Sequence, residues 1–362
     1  MRVLLVTNDY PPKPGGIQQY LGGLVNALDA EVRVLAPRHR GAAEVPGVFR
    51  GHRRFLWPTR HTRRWIARHV TEFEPDAILF GAPHPLAHLG PRLRRDTGVG
   101  YGVLCHGAEI VLPAAFPLLR RLVRYPLRRA DVLFATSAYT AGRVGRLVKR
   151  QPVVVGVGVE PHFVPGAVVA GPPVVGCVSR FVPRKGQRLV LDAVAALRAE
   201  GRDVTALLVG TGRDENSLRR RAAHLGVPTR FEIAVPYAAL PGLYREITVF
   251  AMPCRSRWFG LEAEGLGIVY LEAAATGLPV ITGDSGGSPE TILPGKTGFV
   301  VDGTPTLVAA LRLLLDDPDR ARAMGAAGRE WVQREYSWKA VAGRIVVGLE
   351  AIAADEHRDE HS

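Results

Sequence analysis

Short, largely apolar runs alternate along this chain with longer stretches in which apolar side chains return every three or four residues. Val3–Val6 (VLLV), Val32–Leu35, Ala77–Phe80 and Val132–Ala135 are of the first kind, and Ile17–Leu28 is of the second. Four or five apolar residues without strict alternation predict strands covered on both faces, and strands alternating with helices predict a parallel sheet between two helical layers. A second series begins at Val174–Val178 and runs through Ala206–Val209, Phe231–Ile233, Val249–Met252, Val280–Thr282 and Gly298–Val301. Between the two series, Pro161–Pro173 (PHFVPGAVVAGPP) has the proline and glycine content of a linker. The expected fold class is therefore α/β, with one doubly wound parallel-sheet domain over residues 1–165 and another from 166 onward. The polar tail Asp355–Ser362 reads as a frayed end.

Charge divides along the same boundary. Residues 1–165 hold 24 Lys and Arg against 11 Asp and Glu, whereas residues 166–362 hold 23 of each, so the first half carries the whole net charge of +13. Such asymmetry points that half toward a polyanion: membrane headgroups, nucleic acid or a phosphorylated substrate. Three scattered cysteines make neither a disulfide framework nor a close-spaced metal site and fit a reducing cytosol. No secretory leader pattern opens the chain, and no apolar run approaches the ~20 residues of a spanning helix. A soluble or peripheral protein is expected.

In open parallel sheets, ligands gather at the carboxyl ends of the strands. After the first strand comes TNDYPPKPGG, where Gly15 and Gly16 precede a helix and could let backbone N–H groups approach a phosphate; a plain strand-to-helix turn is an equal reading. After Val178 comes SRFVPRKG, with Arg180 and Lys185 ahead of a helical run. Cations at a helix N-terminus oppose its dipole, so a bound anion explains them better than helix stability does, with a solvated loop as the other reading. Gly210 opens a further glycine turn after Val209 that could admit a nucleotide. His106 follows the apolar run Tyr101–Cys105 and should project from a strand end, either as a site residue or as a core histidine satisfied by the backbone.

Other patterns mislead. PGKTG (Pro294–Gly298) lacks the first glycine of a P-loop, since Glu290 stands there, and reads as a hairpin turn. Asp317-Pro-Asp319 lies between two helical runs and reads as a solvated turn, and the eleven histidines form no zinc pattern, so no metal site is expected. Glu264 and Glu272 are more informative, because they stand eight residues apart in EGLGIVYLE. At about 100° per residue, a helix would set them roughly 80° apart, facing one volume.

The segment WFGLEAEGLGIVYLEAAATGLPVI, from Trp258 to Ile281, resembles the E-x7-E nucleotide-sugar segment of retaining GT-B glycosyltransferases of family 4. The glycine-rich first loop, HGAE at His106–Glu109, the R-x4-K loop and GDSGGSPE at Gly283–Glu290 follow in that family's order, and the likeness covers nearly the whole chain. It implies two Rossmann-like domains facing a central cleft: an acceptor- and membrane-facing domain, 1–165, rejoined by a C-terminal helix over about 343–362, and a nucleotide-sugar domain, 166–342. By the family's pattern, Glu264 begins a helix and accepts from the donor sugar's hydroxyls, while Glu272 accepts from the ribose. Gly265, Leu266, Gly267 and Ile268 would set backbone N–H groups near the diphosphate. Arg180 and Lys185 would neutralise the departing diphosphate without a metal ion, and His106 would orient the donor sugar. Neither Glu264 nor Lys185 reads as a core residue.

The opening MRVLLVTNDYPPKPGGIQQY and Ser256–Gly265 are similar to the actinobacterial phosphatidylinositol mannoside mannosyltransferases, which implies GDP-mannose as donor, a phosphoinositide-type lipid acceptor and a site on the inner face of the cell membrane. Two basic stretches, Phe49–His69 and Leu118–Arg129, interleave cations with aromatic and aliphatic groups, as an interfacial segment does. A solvated helix face or a nucleic-acid surface are other readings of that composition, though nucleic acid is not expected beside this resemblance. Another nucleotide sugar with a soluble or polyprenyl acceptor is the alternative within the family. A non-catalytic protein binding anionic membrane or RNA is the alternative outside it.

Overall fold

The computed structural model describes residues 1–13, 15–107, 110, 116–167 and 171–359. Glu109 of the HGAE stretch and residues 168–170 of the linker lie outside them. The chain forms two compact units, Met1–Gly158 with Trp338–Ser362, and Val159–Ser337.

The first unit is built on seven parallel strands: β1 (Arg2–Val6), β2 (Glu31–Ala36), β3 (Val48–Arg50), β4 (Ala77–Phe80), β5 (Tyr101–Cys105), β6 (Val132–Ala135) and β7 (Val153–Val154), ordered 3-2-1-4-5-6-7. Successive side chains of β1 enter opposite layers. Leu4 and Val6 join one core with Ile66, Val70, Phe80 and Leu93, and Val3 and Leu5 join the other with Tyr20, Leu21, Leu24 and Leu79. This is why the strand sequences read as unbroken apolar runs.

The helix Trp338–Asp359 completes the second of those layers with the adjacent Val341 and Ala342, then Ile345, Leu349 and Ile352 at further steps of three or four residues along one stripe. The return to the first unit therefore starts at Trp338 rather than near residue 343. The first boundary likewise falls after Gly158 rather than near residue 166, because Val159 donates its N–H to Tyr336 O (2.8 Å) and bridges Ser337. The two passages of the chain are paired where they enter the second unit.

That unit holds six parallel strands: β8 (Val174–Val178), β9 (Thr205–Val209), β10 (Thr229–Glu232), β11 (Val249–Met252), β12 (Val280–Gly283) and β13 (Gly298–Val301), ordered 10-9-8-11-12-13. The order reverses beside β8, so the loops leaving β8 and β11 flank the switch point where such sheets bind ligands. PGKTG is a tight turn opening the parallel strand β13, with Gly295 N–H on Gly298 O at 2.8 Å, so it is not a hairpin. Asp317 caps the helix Pro318–Glu335 through Arg320 N–H (2.9 Å).

Candidate active site

The loop leaving β8 carries Lys185 on a single 3-10 turn, Pro183–Lys185, ahead of the helix Gln187–Ala199. Gln187 fixes the loop by donating to Ser179 Oγ (2.8 Å) and to Arg180 O (2.9 Å). Lys185 is 7% exposed and Glu264 9%, and Lys185 Nζ donates to Glu264 Oε2 at 2.6 Å. Arg184 donates to the same oxygen at 2.5 Å and lies 3.6 Å from Glu262. The expectation that neither Glu264 nor Lys185 belongs to the interior is thus overturned: each charge is buried against its partner. Burial pushes the Glu264 carboxyl up, but the charges and hydrogen bonds of Lys185 and Arg184 outweigh it and hold it below its ordinary value.

The loop after β12 pins Glu264 from behind. Ser285 Oγ accepts Glu264 N–H (3.2 Å), and Gly287 N–H donates to Glu264 O (2.9 Å). Gly286 has φ +58°, and a Cβ there would stand 2.1 Å from Glu264 O, so the GDSGGSPE stretch needs glycine for close backbone approach.

Glu264 does not begin a helix, which corrects the expectation. Gly267 is the N-cap of Ile268–Ala275 at φ +92°, so Gly265, Leu266 and Gly267 form an irregular approach, and only Glu272 is helical. The two carboxylates consequently have separate partners. Glu272, 1% exposed, accepts Tyr237 O–H on Oε1 (3.0 Å) and Tyr244 O–H on Oε2 (2.9 Å). Burial, with a smaller contribution from Glu160, raises its carboxyl to about 7 against the pull of the two hydroxyls.

Of the other expected residues, Arg180 and Gly210 stand in the loops leaving β8 and β9, and Gly15, Gly16 and His106 belong to the first unit. Arg180 is exposed. Gly210, at φ +144°, packs against Ser179 O, where a Cβ would be 2.0 Å away. In the first unit, Gly15 caps the helix Gly16–Ala27. His106 Nε2 donates to Gly81 O (2.9 Å), and its ring meets Tyr20 edge-on at 5.3 Å. Arg184, Ser285, Tyr237 and Tyr244 escaped the sequence reading. Arg184 stands beside Lys185 in SRFVPRKG, but two basic neighbours cannot be ranked by spacing, and the tyrosines lie 35 and 28 residues from Glu272 with no local signal.

A buried lysine–glutamate pair at a switch point, beside a glycine-rich approach to a helix, suits an anionic, polyhydroxylated ligand. Similarity to known proteins identifies the family. Residues 14–163 match the family profile described as Glycosyltransferase Family 4, and residues 160–331 match Glycosyl transferases group 1. The chain is 39% identical to the GDP-mannose-dependent alpha-(1-6)-phosphatidylinositol monomannoside mannosyltransferase of Mycolicibacterium smegmatis, over 95% of this chain and 97% of that one. It is 36% identical to the monoacylated phosphatidylinositol monomannoside mannosyltransferase of Corynebacterium glutamicum, over 95% and 96%. In fold it is similar to sucrose-phosphate synthase from Thermosynechococcus elongatus, with a TM-score of 0.77, 22% identity, and 98% and 99% of the two chains covered. A glycosyltransferase from Rickettsia africae gives a TM-score of 0.79 at 16% identity over 97% and 98%. With both domains matched and relatives above 30% identity along nearly the full length, the chain belongs to family 4 of the GT-B glycosyltransferases.

Proposed function

We propose that this enzyme transfers mannose from GDP-mannose to a phosphatidylinositol mannoside, with retention at the anomeric carbon. The observation that carries the reading is near-full-length identity to enzymes named for that reaction, joined with a buried Lys185–Glu264 pair in the loops that the family uses for the donor. Lys185 and Arg180 neutralise charge building on the departing diphosphate, helped by backbone N–H groups at Gly15–Gly16 and Gly265–Ile268; the Gly210 N–H is already given to Glu232 O (2.9 Å), so Gly210 contributes only its lack of a side chain. Glu264 accepts from the mannosyl hydroxyls, and His106 orients that sugar. The acceptor hydroxyl attacks on the face that the diphosphate leaves, and a phosphate oxygen takes its proton. The cationic loop does what a divalent ion does elsewhere, so turnover should survive a chelator. Incubation with a panel of nucleotide sugars and membrane lipids, with and without chelator, followed by mass analysis of the lipid, tests all of this. A product from another donor or a soluble acceptor would overturn it.

An ionised carboxylate has about four acceptor sites, so Glu272 can keep both tyrosines and still receive two ribose hydroxyls. With its carboxyl raised to about 7, Glu272 is neutral below that pH and charged above it. GDP affinity should therefore fall as pH drops from about 8 to about 6. Glu272→Gln should bind more weakly at the upper end and show only the slope of the nucleotide's own phosphate. Calorimetric titration of both proteins checks this, and parallel slopes would exclude Glu272 as the titrating contact.

The first domain is proposed to rest on anionic headgroups at the inner face of the membrane. No helix among the described residues is long and apolar enough to cross one. In the helix Arg60–Phe73, Ile66, Val70 and Phe73 face inward while Arg60, Arg64 and Arg68 are exposed, and Phe55 and Trp57 stand exposed just before it. The exposed Phe116, Leu119 and Leu122 beside Arg120 and Arg121 form a comparable surface. Arg63, in the same basic stretch, is paired with Asp96 and is left out of that surface. Exchanging Arg53, Arg54, Arg60 and Arg64 for serine removes about 1 kcal/mol per residue that reaches the headgroups. Co-sedimentation with anionic vesicles should be largely lost, and wild-type binding should fade as salt shortens the screening length from ~10 Å at 0.1 M to ~3 Å at 1 M. Undiminished binding of the fourfold variant would remove the patch from this surface.

A further inference from the structure

The loop between β11 and Glu264 displays an indole for no reason internal to the fold. Arg257 and Glu262 close it: Arg257 N–H donates to Glu262 O (2.9 Å) and Glu262 N–H to Arg257 O (3.2 Å). Within it, Gly260 N–H donates to Arg257 O and Leu261 N–H to Trp258 O, both at 3.1 Å. This closure forces Trp258 to φ +52°, a conformation that bulky residues adopt rarely and that persists only where the surroundings dictate it. Nothing in packing compensates, since Trp258 remains 65% exposed.

The loop is also tied to the sugar-binding machinery. Glu262 lies 3.6 Å from Arg184 and 3.5 Å from Arg257, and Arg184 in turn holds Glu264. One guanidinium thus connects the indole's loop to the carboxylate assigned to the donor sugar. Arg257 sits 5.7 Å from the indole centroid, so a flat apolar face and a cation are offered side by side. A glycolipid headgroup has the matching chemistry: a pyranose whose C–H face is apolar, next to a phosphodiester.

We propose that Trp258 is an acceptor subsite, on which the mannosyl ring already carried by the lipid acceptor stacks, with Arg257 meeting the headgroup phosphate. This rests on the mannosyltransferase reading above. Such a platform selects acceptors that bear a sugar ring, because an indole is rigid and loses little conformational freedom when covered.

The test is steady-state kinetics with GDP-mannose and a short-chain phosphatidylinositol monomannoside, alongside GDP titration and vesicle co-sedimentation. Trp258→Ala should raise the acceptor KM roughly three- to tenfold, with kcat and GDP affinity little changed, and Trp258→Phe should recover part of the loss. Trp258→Gly, which relieves the left-handed backbone, should melt no lower than wild type yet show the same rise in KM, separating binding from stability. An unchanged acceptor KM in Trp258→Ala overturns the proposal, as does a parallel loss of GDP affinity, which would give the indole to the donor. Loss of vesicle binding with normal kinetics on the short-chain acceptor would give it to the bilayer and overturn the proposal equally. Wild-type protein that moves no mannose to any acceptor overturns the functional reading itself, whereas active wild type with an indifferent Trp258→Ala overturns this subsite alone.

Discussion

Lys185→Ala should lower mannosyl transfer by about 10²–10³-fold, equivalent to roughly 2.7–4 kcal/mol of transition-state stabilisation, the loss expected when one preorganised charge contact is removed. The ammonium is fixed before any substrate arrives, because a 3-10 turn carries it and Glu264 holds it at 2.6 Å. Little reorganisation is then needed as the diphosphate departs. The fold should survive, since Glu264 keeps Arg184 as a partner at 2.5 Å. Single-turnover rates and melting curves on the same preparation check both halves. A variant with near-wild-type transfer would take Lys185 out of the site. Lys185→Arg should not rescue, because a longer planar fork does not fit a pocket in which Lys185 as a whole is only 7% exposed.

The parts of this protein that were legible in the sequence are those whose burial is complete and local. β1, β4 and β6 could be read because both of their faces are covered, so nothing interrupts the apolar run. β3 and β7 were missed: Val48–Arg50 has half-exposed and exposed positions, and Val153–Val154 is exposed throughout. The Lys185–Glu264 pair was half visible. Each residue stood in a recognisable motif, but their contact spans 79 positions and depends on the order of β8 and β11 in the sheet. The helical phase of Glu264 was misjudged because period arguments assume a continuous helix, and Gly267 in the left-handed region breaks it. Tyr237 and Tyr244 were invisible for a related reason, as hydroxyls brought to Glu272 by tertiary packing leave no periodic trace.

Glu264→Ala is expected to damage both activity and stability, and the two losses can be separated. In the native protein this carboxylate neutralises two cations at once, and all three side chains are nearly withdrawn from water. Removing it strands Lys185 and Arg184 without a counter-charge, and breaking a buried pair typically costs about 3–5 kcal/mol. For a domain of this size that corresponds to a fall of roughly 6–20 °C in melting temperature. Glu264→Gln keeps the shape and one carbonyl acceptor, so it should melt higher than the alanine variant while transfer stays about 10²-fold or more below wild type. The pH dependence supplies an independent check. A carboxyl held below its ordinary value stabilises the fold above the unfolded value of 4.5, and that contribution disappears as pH falls through the lower folded value. The advantage of wild type over Glu264→Gln should therefore be full near neutrality and shrink in acid. Melting curves that stay equally far apart from neutral to acidic pH would mean that the charge on Glu264 does not hold this site together, and near-normal transfer by Glu264→Gln would mean that the carboxylate does not orient the sugar.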